Sequence, residues 1–324
     1  MDVLDFATAL ISFLNIGLFS AIVSRFTGAN IAMIVFCAIL YVGGKPLETI
    51  GMMITYLLFT RLTIYTQNQK INFKRMNVFT GWRIIPPVVL IVLFLFIYPF
   101  VSLAVFFLFF MLEILSGMRK TMLPERKMTN GELLPYIVSG SVVLTIGMIL
   151  AAFIPESIYY IAGGAVILII CAFFWWLGND RDRLQTVWDR VVIASFFPVG
   201  LFGFDLADWL ADMKRNVNRT HITYNLPFVF LPVFFVGFIM AHLLFGIFSL
   251  GGMVITLFTA IGMRLFGYYE MSGRGRTNLV ALAVTAFAAL MLFLTAPEPT
   301  GASQAIDAFL PQEYYGFKGI FSLL

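Results

Sequence analysis

Apolar residues run through this chain in blocks too continuous for soluble amphipathic helices, and polar residues gather in the short stretches between them. A helix needs about 20 mainly apolar residues to cross a bilayer. Blocks of that length, or close to it, cover roughly 4–24, 30–42, 47–64, 84–98, 100–117, 133–153, 158–177, 187–210, 226–245, 247–268 and 278–296. The pattern predicts an all-α, polytopic helical membrane protein. Two blocks are impure. The first, 47–64, follows Gly44-Lys45-Pro46 and is interrupted by Arg61, and the second, 187–210, contains Asp189, Arg190, Pro198, Gly200, Gly203, Asp205 and Asp208. Such residues face lipid poorly, and irregular backbone at membrane depth needs protein or a wet cavity around it. Both blocks are therefore expected to be broken or re-entrant segments.

Comparing the two halves suggests an internal duplication. Residues 35–44 lie over 169–178; after a few extra residues Thr55 meets Ser195, Lys74-Arg75 meets Lys214-Arg215, Thr80 meets Thr220 and Pro87 meets Pro227. The expected organisation is a first membrane repeat over 1–120, a second over 133–268 and an additional terminal span at 278–296. If both impure blocks return to their own side, the basic residues from Lys45 and Lys70 through Arg276 share one face, as the cytoplasmic bias of Lys and Arg favours. That solution has four spans and one broken segment per repeat; its rival is two inverted five-span repeats. Transporters built from repeats hold substrate at the repeat interface near the midplane.

Composition narrows the class. Of 324 residues, 60% are hydrophobic and 12% charged, against about 25% charged in soluble domains, and mean hydropathy is +0.94. The net charge of +4 is small and dispersed, which argues against a nucleic-acid partner. Cys37 and Cys171 lie in apolar runs and read as small core residues. The N-terminus lacks a basic n-region and a small-residue cleavage site, so no cleavable signal is expected. No dinucleotide fingerprint, P-loop or His-Glu-x-x-His motif is present, and His221 and His242 are not at ligand spacing. The expectation is a multi-pass cell-membrane protein that is not an enzyme, uses no cofactor or metal, and keeps its basic loops cytoplasmic.

Gly17-Leu18-Phe19-Ser20 before an apolar hairpin, then Gly44-Lys45-Pro46-Leu47-Glu48-Thr49-Ile50-Gly51-Met52-Met53-Ile54-Thr55, then Lys70-Ile71-Asn72-Phe73-Lys74, resembles the TauE/SafE sulfite-exporter permeases. The resemblance covers mainly residues 12–95. It implies a four-plus-four duplicated permease moving sulfite or small organosulfur anions. Two positions depart from that family: the first hairpin reads Ser24-Arg25-Phe26-Thr27-Gly28-Ala29-Asn30 where glycines are expected, and a Thr-Ser pair is replaced by Ile54-Thr55.

For a small anionic substrate, Arg25 and Arg61 are the sharpest candidates, because a guanidinium keeps its charge when buried and offers a fork of donors. Each also reads as a helix-end residue snorkelling to headgroups, a reading that polar Tyr65-Thr66-Gln67 close behind favours for Arg61. Thr27, Asn30, Thr55 and Ser195 supply neutral donors to the same site, or bond their own helices. Asp205 and Asp208 share a helix face, as proton-coupling residues or as the wet face of a surface helix. Two other classes stay open: a membrane protein or enzyme that grips a lipid headgroup, and a structural subunit of a membrane complex.

Overall fold

The computed structural model describes residues 3–69, 84–177, 188–204, 221–247, 251–265 and 279–297. Twelve α-helices and one 3-10 turn fill them, with no strand among the described residues. In order these are α1 (Val3–Thr27), α2 (Ile31–Tyr41), α3 (Pro46–Gln69), α4 (Ile85–Ile97), α5 (Pro99–Thr121), α6 (Asn130–Ala152), α7 (Glu156–Leu177), α8 (Trp188–Ala194), α9 (Phe196–Phe202), α10 (His221–Phe245), α11 (Gly251–Leu265) and α12 (Leu279–Thr295). Five are long and apolar enough to cross a membrane, within 8–27, 99–121, 124–152, 156–176 and 225–245. The protein is therefore an all-α polytopic membrane protein.

The bundle is built around α3. Every residue from Thr49 to Leu58 is buried, as are Arg61 and Leu62, and α2, α5, α6, α9, α10 and α11 all pack against it. Encirclement explains how so polar a helix stays at membrane depth: its neighbours, not lipid, face its side chains. Thr55 and Thr63 hydroxyls donate to the carbonyls of Gly51 and Phe59, 2.9 and 2.8 Å away, so they satisfy themselves within the helix. At the other extreme, α4 turns nearly all of its apolar surface outward and buries only Pro87.

Contacts set the helix directions. α1, α3 and α11 run parallel: Gly252 abuts the backbone of Met52 and Tyr56, Thr60 meets Thr256, Gly17 meets Thr259, and Ala21 meets Gly262. α10 runs against them, because Gly51 meets Ile247 just past its end and Ile54 meets Gly237. It also runs against α5, where Phe100 stacks on His242 and Phe107 packs on Phe238. α6 and α9 run with α10: Gly140 touches Phe196 and Val233, and Leu144 touches Gly200 and Gly237. The C-terminal ends of α3, α5, α7 and α11 and the N-terminal ends of α4, α6, α8 and α10 thus gather at one end of the bundle. The C-terminal end of α1 lies there too, and among the described residues every Lys and Arg except Lys45 and Arg61 (Arg25, Arg119, Lys120, Arg126, Lys127, Arg190 and Arg264) sits at or beside one of these helix ends. We call this the basic end.

Two expectations change. The block 47–64 is not broken; it belongs to α3, 24 residues and about 36 Å long at 1.5 Å per residue. Lys45 consequently lies at the end opposite the basic one. The reason is local: after Pro46 at the first turn, where proline is tolerated, no proline interrupts the helix. By the same contacts α6 runs opposite to α1. In the block 187–210 the described part is interrupted. α8 and α9 form a short helix kinked at Ser195; Pro198 has no N–H for the carbonyl of Ala194, and its ring crowds that carbonyl. The helix rises from the basic end and stops inside the bundle at Gly203. The rest of the block, 205–210, lies outside the described residues.

Candidate functional site

The inner end of α9 is held by close approach. A Cβ on Gly200 would lie 2.0 Å from the carbonyl oxygen of Leu144, so α6 and α9 touch backbone to backbone. Gly203 ends the helix with a left-handed φ of 79° and rests on Met53 of α3; that conformation suits glycine. Beyond it lies an aromatic seat. Phe202 and Phe204 stack at 5.5 Å, and the Phe36 ring of α2 meets both edge-on. Tyr159 of α7 packs on Phe202 at 5.3 Å. The hydroxyls of Tyr159 and Thr49 are fully buried and have no hydrogen-bond partner among the described residues. Such orphans are costly. The sequence analysis missed both, since a tyrosine or threonine inside an apolar block carries no signal of its own.

Arg61 lies deeper toward the basic end, 6% exposed. It shares a stripe of α3 with Ile54 and Leu57, seven and four residues before it, and Ile54 faces Gly237 of α10. Met53, on the neighbouring stripe, faces Gly203 of α9. The guanidinium stem therefore leaves α3 on the side where α9 and α10 pack. Because α9 runs against α3, counting eight residues from the Met53–Gly203 contact on both chains brings Arg61 to the depth of the Ser195 kink. The hydroxyl of Ser195, also buried, donates to the Val192 carbonyl at 2.6 Å.

The remaining candidates lie elsewhere. Arg25, half-buried, belongs to the last turn of α1. Beside it, the Thr27 hydroxyl donates to the Val23 carbonyl at 2.7 Å and accepts from the Ala29 amide at 3.2 Å. Asn30 caps α2, its Oδ1 accepting from the Met33 amide at 3.1 Å. Thr27 and Asn30 thus shape the α1–α2 turn. Thr55 faces α11, its Cβ 2.9 Å from a Cβ built on Gly252. Asp205 and Asp208 lie outside the described residues. A second buried charged residue, Glu113 on α5, is 2% exposed. No group of three or more His, Cys, Asp or Glu suited to a metal ion occurs among the described residues.

No protein family, no curated protein and no solved structure matches the chain. The geometry defines a class: a polytopic helical membrane protein with a charged residue buried beside a kinked, interrupted helix.

Proposed function

We propose that the protein is a permease that moves a small anion such as sulfite or an organosulfonate across the cytoplasmic membrane by alternating access. Arg61 carries the reading. Ionisable residues inside membranes are rare, face bundle interiors, and mark ion and substrate pathways. Arg61 is buried in the central helix, at the depth where α8–α9 kinks. Discontinuous helices near the midplane are where secondary transporters bind their substrates. In this scheme Arg61 replaces part of the anion's hydration, and the orphaned hydroxyls of Tyr159 and Thr49 stand further along the route toward the other end. The basic end faces the cytoplasm, in keeping with the Lys and Arg bias. The motif resembling the sulfite-exporter permeases, Gly44 to Thr55, forms the α2–α3 turn and the first half of α3.

The test is melting of purified protein against sulfite, sulfate, small sulfonates, carboxylates and phosphate at matched ionic strength, with flux into proteoliposomes for any anion that binds. Binding to the folded state at about 100 times the dissociation constant adds about 2.7 kcal/mol, a visible shift. Arg61→Met removes the charge at this depth and should abolish both shift and flux in protein that still elutes as a monodisperse peak. Full flux in Arg61→Met, or no shift with any anion in the wild type, overturns the permease reading.

A further inference from the structure

A groove of about 830 Å3 opens between α1, α2 and α12, lined almost wholly by apolar side chains. α2 beside it has only 11 residues, about 16 Å of helix, and the small side chains of Ala38 and Ala288 are part of the lining. Groove residues on α1 begin at Asn15 and include Leu18 and Ile22. Arg25 follows these two at i+7 and i+3, so it continues the same stripe by one further turn toward the basic end. Leu18 and Arg25 are about 10 Å apart along the axis. An apolar trough thus runs into a half-buried guanidinium at the end of the bundle where the other basic residues gather.

We propose that this groove binds one anionic phospholipid, an acyl chain lying along α1 and α2 and the phosphate meeting Arg25. The apolar trough excludes a hydrated solute, and a guanidinium matches a phosphate bidentately. Basic residues at a membrane surface draw anionic headgroups, which selects this class over zwitterionic lipid. The lipid site is separate from Arg61 and does not depend on permease activity.

Native mass spectrometry after incubation with mixed phosphatidylglycerol and phosphatidylcholine vesicles tests the assignment. The wild type should retain one phospholipid, with phosphatidylglycerol preferred about fivefold, the worth of one arginine near an anionic surface. Arg25→Gln should keep retention and lose the preference. Ala288→Trp should lose retention of both lipids, and Ala38→Phe fills the same groove from α2 in case the first variant misfolds. Arg61→Met should retain lipid normally, which separates this site from the anion pathway. Equal retention of the two lipids by the wild type, unchanged retention in both filled variants, or displacement of lipid by inorganic phosphate alone at matched ionic strength overturns the proposal.

Discussion

α3 and α8–α9 come from the two impure apolar blocks, and the alignment that pairs Thr55 with Ser195 lays one over the other. Their fates differ. α3 runs unbroken from Pro46 to Gln69, whereas the second segment kinks at Ser195 and stops inside the bundle at Gly203. Both contain buried polar residues, so polarity is not what distinguishes a continuous helix from an interrupted one. Backbone chemistry is. α3 has its only proline at the first turn, while α9 has Pro198 against the Ala194 carbonyl and two glycines that let it press on α6 and α3.

The most disruptive way to break this contrast is Gly203→Val. A β-branched residue there must adopt a left-handed φ and displace Met53, whose Cβ lies 2.2 Å from the new Cβ. The expected loss is about 3 kcal/mol, read as a large fall in melting temperature and loss of a monodisperse peak. Gly131→Ala, where a Cβ meets open space, should change neither. A smaller effect is expected from Pro198→Ala, which returns a donor to the Ala194 carbonyl. The kink should straighten and pull the tip from its aromatic seat, costing about 1 kcal/mol. Cysteine placed at Phe204, fully buried in the native protein, should then react with a thiol reagent that it otherwise resists. The smallest effects belong to Thr55→Val and Ser195→Ala. Each hydroxyl bonds its own helix, so each loss should be about 0.5 kcal/mol with flux intact. A large loss of flux from either change, without loss of stability, would place that hydroxyl on the substrate path.

Much of the fold was legible because lipid imposes a coarse rule. Apolar length alone located the helices, and Pro99 marked the α4–α5 boundary. Proline was a less certain guide elsewhere: Pro227 and Pro232 lie within α10, and Pro135 within α6, yet those helices continue. The candidate site was legible in part. Arg61 stands out in any reading because a charge in an apolar block is rare, whereas Tyr159 and Thr49 matter only through what surrounds them. Thr27 and Asn30 were read as donors for an anion, and the structure shows them tying the α1–α2 turn.

The sequence by itself determined the membrane class, the helical architecture and the grouping of basic residues between spans, because each follows from local composition against the cost of burying polar groups in hydrocarbon. Only the tertiary structure decided that α3 is one unbroken helix, that Lys45 lies opposite the basic end, and that Arg61 leaves α3 on the side where α9 and α10 pack. Those depend on which neighbours shelter a polar residue. Shelter is a property of packing between distant parts of the chain, and no single stretch of sequence contains it.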